Sequence, residues 1–397
     1  MLKFDFKSFI NINGEASYKN KIHEIREQLE KKQSMLDWYD VDTTITKNEF
    51  DKILKVSNYI RKNTEIFLVI GIGGSYLGSK AIIDMFKPYF KKDKVEIIFA
   101  GFSLSSTYLS ELLDYIKDKE VIVNVISKSG TTLEPSITFN AVYELMKDKY
   151  TKTQLQKRII ITTDKKNGKL RELVNKEHFI SFKVPENIGG RFSVFTAVGL
   201  LPIAVSNINI TRLLKGVEKG KNDIDACFIY AIIRDILYKN GKKIESFTVY
   251  EPKLYYFTEW IKQLFGETQG KNNLGLFPVS VVNSRDLHSL GQYYQQGSDI
   301  IFETVINIVN NKDIKVSNKS LNKINNIASI KVAEAHNPHT PSNIICMDYL
   351  NEENVGELMY FFMVSASIGA YLLNVNPFDQ PGVEDYKKLL MEGIKKI

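Results

Sequence analysis

The chain has 397 residues, of which 44% are hydrophobic and 25% charged, and its formal net charge is +7. This length allows two or three domains with a sizeable core, and the composition is that of an ordinary globular protein. The 53 basic residues are scattered among 46 acidic ones, without a basic stripe interleaved with aromatic residues, so no nucleic-acid partner is expected. The charge is interpreted first as a solvated, lysine-rich surface and second as a field that attracts small anions.

Cysteine content and apolar runs bear on the compartment of the protein. The two cysteines, Cys227 and Cys346, lie far apart and form neither a disulfide framework nor a zinc-binding spacing. This pattern suits a reducing compartment, and a cytoplasmic location is expected. The N-terminus lacks the apolar core of a signal peptide. The longest apolar stretch, residues 359–373, is shorter than the roughly 20 residues of a membrane span, so a buried helix and no membrane are expected.

Strand-like and helix-like stretches alternate in the first half of the chain. The predicted strands are EIFLVIGI (65–72), VEIIFAG (95–101), VIVNVIS (121–127), KRIIITT (157–163) and HFISFKV (178–184). The predicted helices are LGSKAIIDMF (77–86), STYLSELLDYIKD (106–118), PSITFNAVYELMKDKY (135–150) and KLRELVNKE (169–177). The strands are continuous apolar runs, which indicates a parallel sheet buried on both faces. The alternation predicts a doubly wound α/β domain.

A second cycle begins near residue 210. It opens with the helical stretch CFIYAIIRDILY (227–238) and ends in helical sequence. Its predicted strands are ESFTVYE (245–251), LFPVSVV (276–282), IIFETVINI (300–308), IASIKVAEA (327–335) and SNIICMDY (342–349). We predict a first domain over 45–205 and a second over 1–44 and 206–397, with a hinge within 185–210, where proline and glycine cluster.

Polar side chains crowd the turn that follows the strand VIVNVIS. Ser127, Ser129 and Thr132 supply hydroxyl groups, and Lys128 supplies a cation, at the start of a predicted helix. Ligands of doubly wound sheets bind beyond the carboxyl ends of strands, where unpaired N–H groups of a helix N-terminus favour an anion. The turn therefore predicts a site for a phosphate monoester. The alternative is an elaborate helix cap, with Glu134 in the first turn.

A glycine-rich turn, GIGGSYLGSK (71–80), also joins a strand to a helix. It is not the dinucleotide fingerprint, because Tyr76 stands where the third glycine belongs, and it is not a nucleotide-triphosphate loop, because the serine and lysine at 79–80 are in reversed order. Its backbone at Gly73, Gly74 and Ser75 is able to approach a ligand closely. Two such turns on one sheet predict a sugar-phosphate pocket, with simple tight turns as the alternative.

Five motifs, in chain order, resemble those of the glucose-6-phosphate isomerase (phosphoglucose isomerase) family in its compact bacterial form. They are GIGGSYLG (71–78), ISKSGTTLEP (126–135), GGRFSVFTAVGLLP (189–202), FGETQGK (265–271) and NPFDQPGVEDYK (376–387). The first two also occur in sugar-phosphate regulators and glucosamine-phosphate synthase, whereas the last two are specific to the isomerase. The resemblance implies two sugar-isomerase-type domains and reversible conversion of glucose 6-phosphate to fructose 6-phosphate, in glycolysis and gluconeogenesis, without metal or organic cofactor.

The resemblance also implies catalytic roles for four residues. Moving a carbonyl from C1 to C2 requires a base, a group that stabilises the enediolate, and an acid–base pair that opens the sugar ring. By resemblance, Glu267 is the base and Arg191 stabilises the enediolate. His288 opens the ring, and Lys387 assists it.

Two glutamines match substrate-binding positions of the family. Gln263 lies four residues before Glu267, so on a helix both side chains share a face, and Gln380 lies in the C-terminal motif. One departure concerns Thr268 and Gln269, where bacterial relatives commonly have Ser-Glu. This polar change is not expected to move the base, but it would alter the charge around it.

Partners and alternatives complete the sequence-based expectations. His336 and His339 have a spacing seen in metal sites, but only Glu334 accompanies them, so no metal site is expected. The resemblance implies a homodimer in which His288 acts across the interface. Two alternative functions remain: a non-catalytic regulatory protein that binds sugar phosphates, and an isomerase of another hexose 6-phosphate such as mannose 6-phosphate.

Overall fold

A computed structural model describes residues 2–6, 15–31, 35–91 and 93–396 of the chain. The described residues form twelve strands: β1 (Leu2–Asp5), β2 (Ile66–Ile70), β3 (Glu96–Ala100), β4 (Val121–Ile126), β5 (Ile159–Thr163), β6 (Ile180–Lys183), β7 (Ile244–Val249), β8 (Phe277–Val282), β9 (Ile301–Asn310), β10 (Lys315–Val316), β11 (Lys319–Ser320) and β12 (Ser342–Tyr349). The α-helices are α1 (Glu15–Glu30), α2 (Val41–Thr44), α3 (Lys47–Asn63), α4 (Leu77–Phe86), α5 (Ser106–Ile116), α6 (Leu133–Lys149), α7 (Lys152–Arg158), α8 (Lys169–Glu177), α9 (Ala197–Val205), α10 (Ile210–Lys221), α11 (Asp225–Lys239), α12 (Tyr255–Gln269), α13 (Leu287–Gln296), α14 (Leu321–His336), α15 (Glu352–Leu372) and α16 (Glu384–Ile394).

The chain divides into two units. Unit 1 comprises the described residues of the ranges 1–31, 222–350 and 358–397, and unit 2 those of the ranges 32–221 and 351–357. The predicted domain limits, at 45 and 205, both lie within unit 2. They stay a prediction, because a unit is defined by its contacts and a domain by its ability to fold alone.

Unit 2 is built on a parallel sheet with the strand order β3–β2–β4–β5–β6. Every residue of β2, β4 and β5 is buried, which explains why these strands read as continuous apolar runs. The chain runs from β2 to β3 on one side and then crosses to β4 on the other. The strand order therefore reverses between β2 and β4, and such a reversal opens a ligand crevice at the carboxyl ends of the two strands.

Unit 1 has a sheet of similar build, with four parallel strands and an antiparallel strand at one edge. Its sheet has the order β1–β12–β9–β7–β8, in which β12, β9, β7 and β8 are parallel. The edge strand β1, which the sequence did not predict, pairs antiparallel with β12. A second reversal lies between β7 and β9. The predicted fold class, α/β with two doubly wound, mostly parallel sheets, is confirmed.

The prediction of a strand at IASIKVAEA was wrong, because these residues belong to the helix α14. The hydroxyl of Ser320 caps this helix by accepting a hydrogen bond from the Lys323 N–H at 3.0 Å. Isoleucines 324, 327 and 330 recur at helical spacing and are exposed. Their β-branched side chains favoured a strand interpretation, but the cap and the three-residue spacing determine the outcome.

The apolar stretch near the C-terminus lies in α15, a helix that begins before it. Among the described residues, α15 is the one helix that is long and apolar enough to cross a membrane, at 21 residues. The expectation that this stretch is too short for a membrane span was therefore wrong. Of its most apolar 18-residue window, 94% is buried inside the protein, so α15 is placed as a core helix, which was the expectation.

Candidate active site

Glu267 lies in the last turn of α12, in unit 1, and both of its carboxylate oxygens accept hydrogen bonds from glutamine side chains. Gln263 Nε2 donates to Glu267 Oε1 at 3.0 Å, one helical turn away. Gln380 Nε2 donates to Glu267 Oε2 at 2.5 Å. Gln380 lies in the loop before α16, 113 residues after Glu267. The structure thus brings these three predicted site residues together and fixes the plane of the carboxylate.

Gln263 presents an unused acceptor beside this carboxylate. Its Oε1 atom is buried, and no donor among the described residues hydrogen-bonds to it. Buried amide oxygens nearly always have a partner in folded proteins. A substrate hydroxyl bound next to Glu267 would supply that partner.

Gln269 faces away from this pair of glutamines. It is 1% exposed, its Oε1 accepts a hydrogen bond from Arg234 Nη1 at 2.9 Å, and its Nε2 donates to the carbonyl of Ala366 at 2.9 Å. Gln269 lies two residues after Glu267 on α12, and side chains two residues apart on a helix point about 200° apart. Arg234 also donates to Glu245 at 2.6 Å. The departure from Ser-Glu therefore places the change of charge beside the buried Arg234.

Two residues of the same motifs received no role from the sequence. Lys271 Nζ lies 2.9 Å from Asp379 Oδ1, and it also donates to the carbonyl of Asn376. Both contacts join the end of α12 to the loop that carries Gln380. Their presence inside FGETQGK and NPFDQPGVEDYK was the only sequence signal for them.

Lys387 forms an ion pair within its own helix, α16. Its ammonium lies 3.2 Å from Glu384 Oε1, one turn earlier on α16, and 53% of its side chain is exposed. None of the residues of α16, all of which the structure describes, is buried. Apolar side chains of this helix, including Tyr386 and Leu389, are exposed.

His288 lies at the start of α13 and is exposed. The helix, which is described throughout, buries only Tyr294. Just before the helix, Asp286 accepts hydrogen bonds from Arg285 at 2.6 Å and from the N–H of Val282 at 2.8 Å. The hydrogen bond from Arg285 lowers the pKa of the Asp286 carboxyl below its ordinary value.

The two histidines with metal-like spacing are engaged by the protein. His336 is buried, with Nδ1 3.2 Å from Glu303 Oε2, and its ring stacks on Tyr294 with centroids 4.9 Å apart. The Nε2 atom of His339 lies 2.8 Å from the carbonyl oxygen of Gly297. Within the described ranges, no group of three or more His, Cys, Asp or Glu side chains is placed to hold a metal ion.

In unit 2, the glycine-rich turn packs its backbone against the turn that carries Arg191. Gly73 has a φ of 57°, which favours glycine. A Cβ atom on Gly74 would lie 2.0 Å from the carbonyl oxygen of Gly190. Arg191 follows directly and is 2% exposed, with its guanidinium carbon 5.5 Å from the ring centre of Phe192. The guanidinium of Arg191 is thus held at a fixed place beside the glycine-rich turn.

The turn SKSGTT lies at the same sheet edge, since β4 pairs in parallel with β2. The buried Ser127 accepts a hydrogen bond from the Gly130 N–H at 3.1 Å, and Ser129 accepts one from the Thr131 N–H at 3.2 Å. Thr132 occupies the N-cap position of α6, but within the described helix its hydroxyl accepts no capping hydrogen bond. The turn is therefore not a simple side-chain cap.

Lys128 is directed elsewhere in this structure. Its Nζ atom donates to the backbone carbonyl of Glu186 at 3.0 Å. The strand-to-helix turn after β4 thus presents hydroxyl and N–H groups, while the cation predicted for it is bound to a neighbouring loop.

Comparison with known proteins gives the family. Residues 54–315 match the model of the phosphoglucose isomerase family. The chain is 44% identical over 380 residues to a glucose-6-phosphate isomerase of Clostridium tetani, covering 88% of this chain and 85% of that protein. It is 41% identical over 418 residues to one of Staphylococcus aureus, covering 98% and 94%.

Solved structures agree on the fold. A crystal structure of a hypothetical protein from Thermus thermophilus superposes with a TM-score of 0.88 at 25% identity, covering 99% of this chain and 100% of that one. A glucose-6-phosphate isomerase of Chlamydia trachomatis superposes with a TM-score of 0.78 at 22% identity, covering 88% and 73%. The family model and the two relatives at 44% and 41% identity show that the chain belongs to the phosphoglucose isomerase family.

Proposed function

We propose that the chain catalyses the reversible interconversion of glucose 6-phosphate and fructose 6-phosphate, with Glu267 as the base. The observation that carries the proposal is the Glu267 carboxylate, whose oxygens are held by Gln263 and Gln380. Family membership supplies the reaction, and this geometry supplies a group able to perform it.

In the proposed proton transfer, the Glu267 carboxylate both removes and returns the proton. Glu267 removes the proton from C2 of the open-chain aldose, and the C–H electron pair forms the C1–C2 double bond of an enediolate. One proton passes from O2 to O1, and Glu267 returns its proton to C1, which leaves the carbonyl at C2. A positioned base contributes about 10²–10⁴-fold to such a step. Fixing the carboxylate plane supports this role, because a base must meet the reacting carbon in one orientation.

We assign the substrate phosphate to SKSGTT, assisted by Gly73, Gly74 and Ser75. Three observations support the assignment: the reversal of strand order between β2 and β4, the 17-residue helix α6 that begins there, and the Thr132 hydroxyl that is not used for capping. Helix N-termini and hydroxyl groups bind phosphate through N–H and O–H donors. A role for Lys128 requires that its side chain leave the Glu186 carbonyl.

The remaining roles follow the family. Arg191 is proposed to stabilise the enediolate, and its burial supports this, because a fixed charge needs no reorganisation during reaction. Lys387 and His288 are proposed to open the sugar ring. Their exposure in a single chain is compatible with a site that a second chain completes.

We further propose a homodimer in which His288 serves the site of the partner subunit. Besides the exposed His288, α13 carries Leu290 and Tyr293, which are 38% and 42% exposed. Aromatic and apolar side chains beside a functional polar group are typical of interface cores. We propose the cytoplasm as the compartment, since both cysteines are free thiols.

A coupled assay tests the proposed function. Fructose 6-phosphate is supplied with chelator present, and formation of glucose 6-phosphate is followed. We expect turnover by the parent protein and a loss of at least about 100-fold in Glu267→Gln, which removes the proton acceptor and keeps the shape. Binding of a sugar-phosphate analogue by that variant is the control for folding. Supplying mannose 6-phosphate and following formation of fructose 6-phosphate tests the alternative substrate. Binding without turnover by the parent would favour the regulatory alternative.

A further inference from the structure

The loop before α16 is joined to α12 at two successive positions. Gln380 binds Glu267, and Asp379 binds Lys271, which lies four residues after Glu267. Neighbouring loop residues thus contact the last turn of α12 and the segment directly after it. The contact between Asp379 and Lys271 thus holds the loop backbone where Gln380 reaches Glu267.

The ammonium of Lys271 is placed to hold this loop. Only 7% of the Lys271 side chain is exposed, whereas 49% of the Asp379 side chain is exposed. The lysine also donates to the carbonyl of Asn376, and the Asn376 side chain accepts a hydrogen bond from the Phe378 N–H at 2.9 Å. Burying an ammonium is costly unless it is paired and hydrogen-bonded. The buried cation therefore holds two residues of the loop, Asn376 and Asp379.

The segment that follows depends on its attachment to the loop. All residues of α16 are described and none of them is buried, so the helix receives little orientation from packing of its own. An isolated helix of 11 residues is also marginal in water. The bond between Lys271 and the loop thus affects both Gln380 and the start of the helix that carries Lys387.

We propose that Lys271 is a positioning residue of the isomerase: through Asp379 and Asn376 it holds Gln380 against Glu267 and so orients the base. The inference rests on the function proposed above. Lys271 need not touch the substrate. If the loop is released, Gln380 leaves Glu267 Oε2, and the carboxylate is free to rotate out of the plane in which it reaches the substrate.

Kinetics of Lys271→Met, Lys271→Arg and the matched control Lys262→Met test the proposal. Lys262 lies on α12, the helix that precedes Lys271, and pairs with Glu259 at the surface. Since a misplacement of about 1 Å costs about 100-fold in rate, we expect Lys271→Met to lower kcat about 100-fold with little change in KM. Lys271→Arg should retain most of kcat because it keeps the cation, and Lys262→Met should stay within about twofold of the parent.

A double variant separates positioning from general destabilisation. If Lys271 acts through Gln380, then Lys271→Met/Gln380→Ala should be no slower than Gln380→Ala alone, because effects that share one path do not add. Losses that multiply, or a folded Lys271→Met with parental kcat, would overturn the proposal. If Lys271→Met does not fold, Asp379→Asn replaces it with the same expectation, and parental kcat there has the same meaning.

Amide hydrogen exchange gives a readout that needs no turnover. In Lys271→Met, residues 376–396 should exchange faster than in the parent, while the strands of unit 2 keep their protection. Unchanged exchange in this segment would contradict the proposal even if the rate fell. An inactive parent would instead contradict the proposed function, and the exchange experiment would still decide whether Lys271 holds the loop.

Discussion

Gly74 and Gly190 touch through their backbones: a Cβ atom on Gly74 would lie 2.0 Å from the carbonyl oxygen and 2.2 Å from the carbonyl carbon of Gly190. The contact joins the turn after β2 to the turn that presents Arg191. No side chain fits at residue 74 unless one of the two turns moves. The position of the buried Arg191 therefore depends on the absence of a side chain at residue 74.

This contact predicts that Gly74→Ala separates the two turns. The clash is with backbone, so we expect a loss of stability of about 1–3 kcal/mol and a fall in kcat/KM of at least about tenfold as Arg191 shifts. Gly393→Ala on α16 is the control, because no described atom lies within 4 Å of a Cβ atom built there. Thermal unfolding and steady-state kinetics measure both effects. Parental kinetics in Gly74→Ala would separate Arg191 from the reaction.

The phosphate turn is distinguished from a helix cap by a pair of variants. Ser127→Ala/Thr132→Ala should weaken binding of inorganic phosphate and raise KM for substrate. Ser105→Ala removes a true cap, since the Ser105 hydroxyl accepts from the Tyr108 N–H at 3.2 Å. It should cost about 1 kcal/mol of stability and leave phosphate binding unchanged. Calorimetric titration with phosphate measures the difference, and undiminished affinity in the double variant would restore the capping interpretation.

The shared site is tested by mixing two inactive variants. Glu267→Gln and His288→Ala are refolded together in equal amounts. If His288 acts across a two-fold interface, each mixed dimer has one site with both defects and one with neither. Random pairing makes about half of the dimers mixed, so about a quarter of all sites should be active. If mass measurement finds mixed dimers but activity stays at the level of the separate variants, His288 acts within its own chain.

Asp286 gives α13 a pH-dependent attachment. Its pKa is lowered in the folded protein, so its ionised form stabilises the fold above the unfolded pKa, and this contribution is lost as pH falls through the folded value. Asp286→Asn should therefore lower the melting temperature at pH 7 and approach the parent below about pH 4. Asp118→Asn, at an exposed aspartate, is the control for loss of one charge. A melting difference that is equal at pH 7 and pH 3 would exclude ionisation as its cause.

Sequence patterns predicted elements where local signals coincide. The predicted helix 169–177 has the bounds of α8, because Gly168 precedes it with a φ of 98° and His178 ends it in a left-handed conformation. β1 was missed, since its residues become a strand only by pairing with β12, more than 300 residues away. The strand predicted at 327–335 shows the converse error, in which β-branched composition outweighed helical spacing.

The contacts of the candidate site are also divided into those that local spacing predicts and those that depend on the folded chain. The contact of Gln263 with Glu267 follows from i, i+4 spacing, whereas the contact of Gln380 with Glu267 spans 113 residues and was inferred only from a motif. The direction of the Lys128 side chain was not predictable, because a long flexible side chain selects among carbonyl and phosphate partners only in the folded protein.

The stacking of Tyr294 on His336 makes the docking of α13 observable by magnetic resonance. The two rings are 13° from parallel, and the circulating electrons of a tyrosine ring shift the resonances of protons held above its face. The carbon-bound ring protons of His336 should therefore resonate upfield while α13 is in place. The chain has only five histidines, so this signal is separable in a spectrum. Because Tyr294 and His288 share one helix, the signal would report the docking of that helix in solution without substrate.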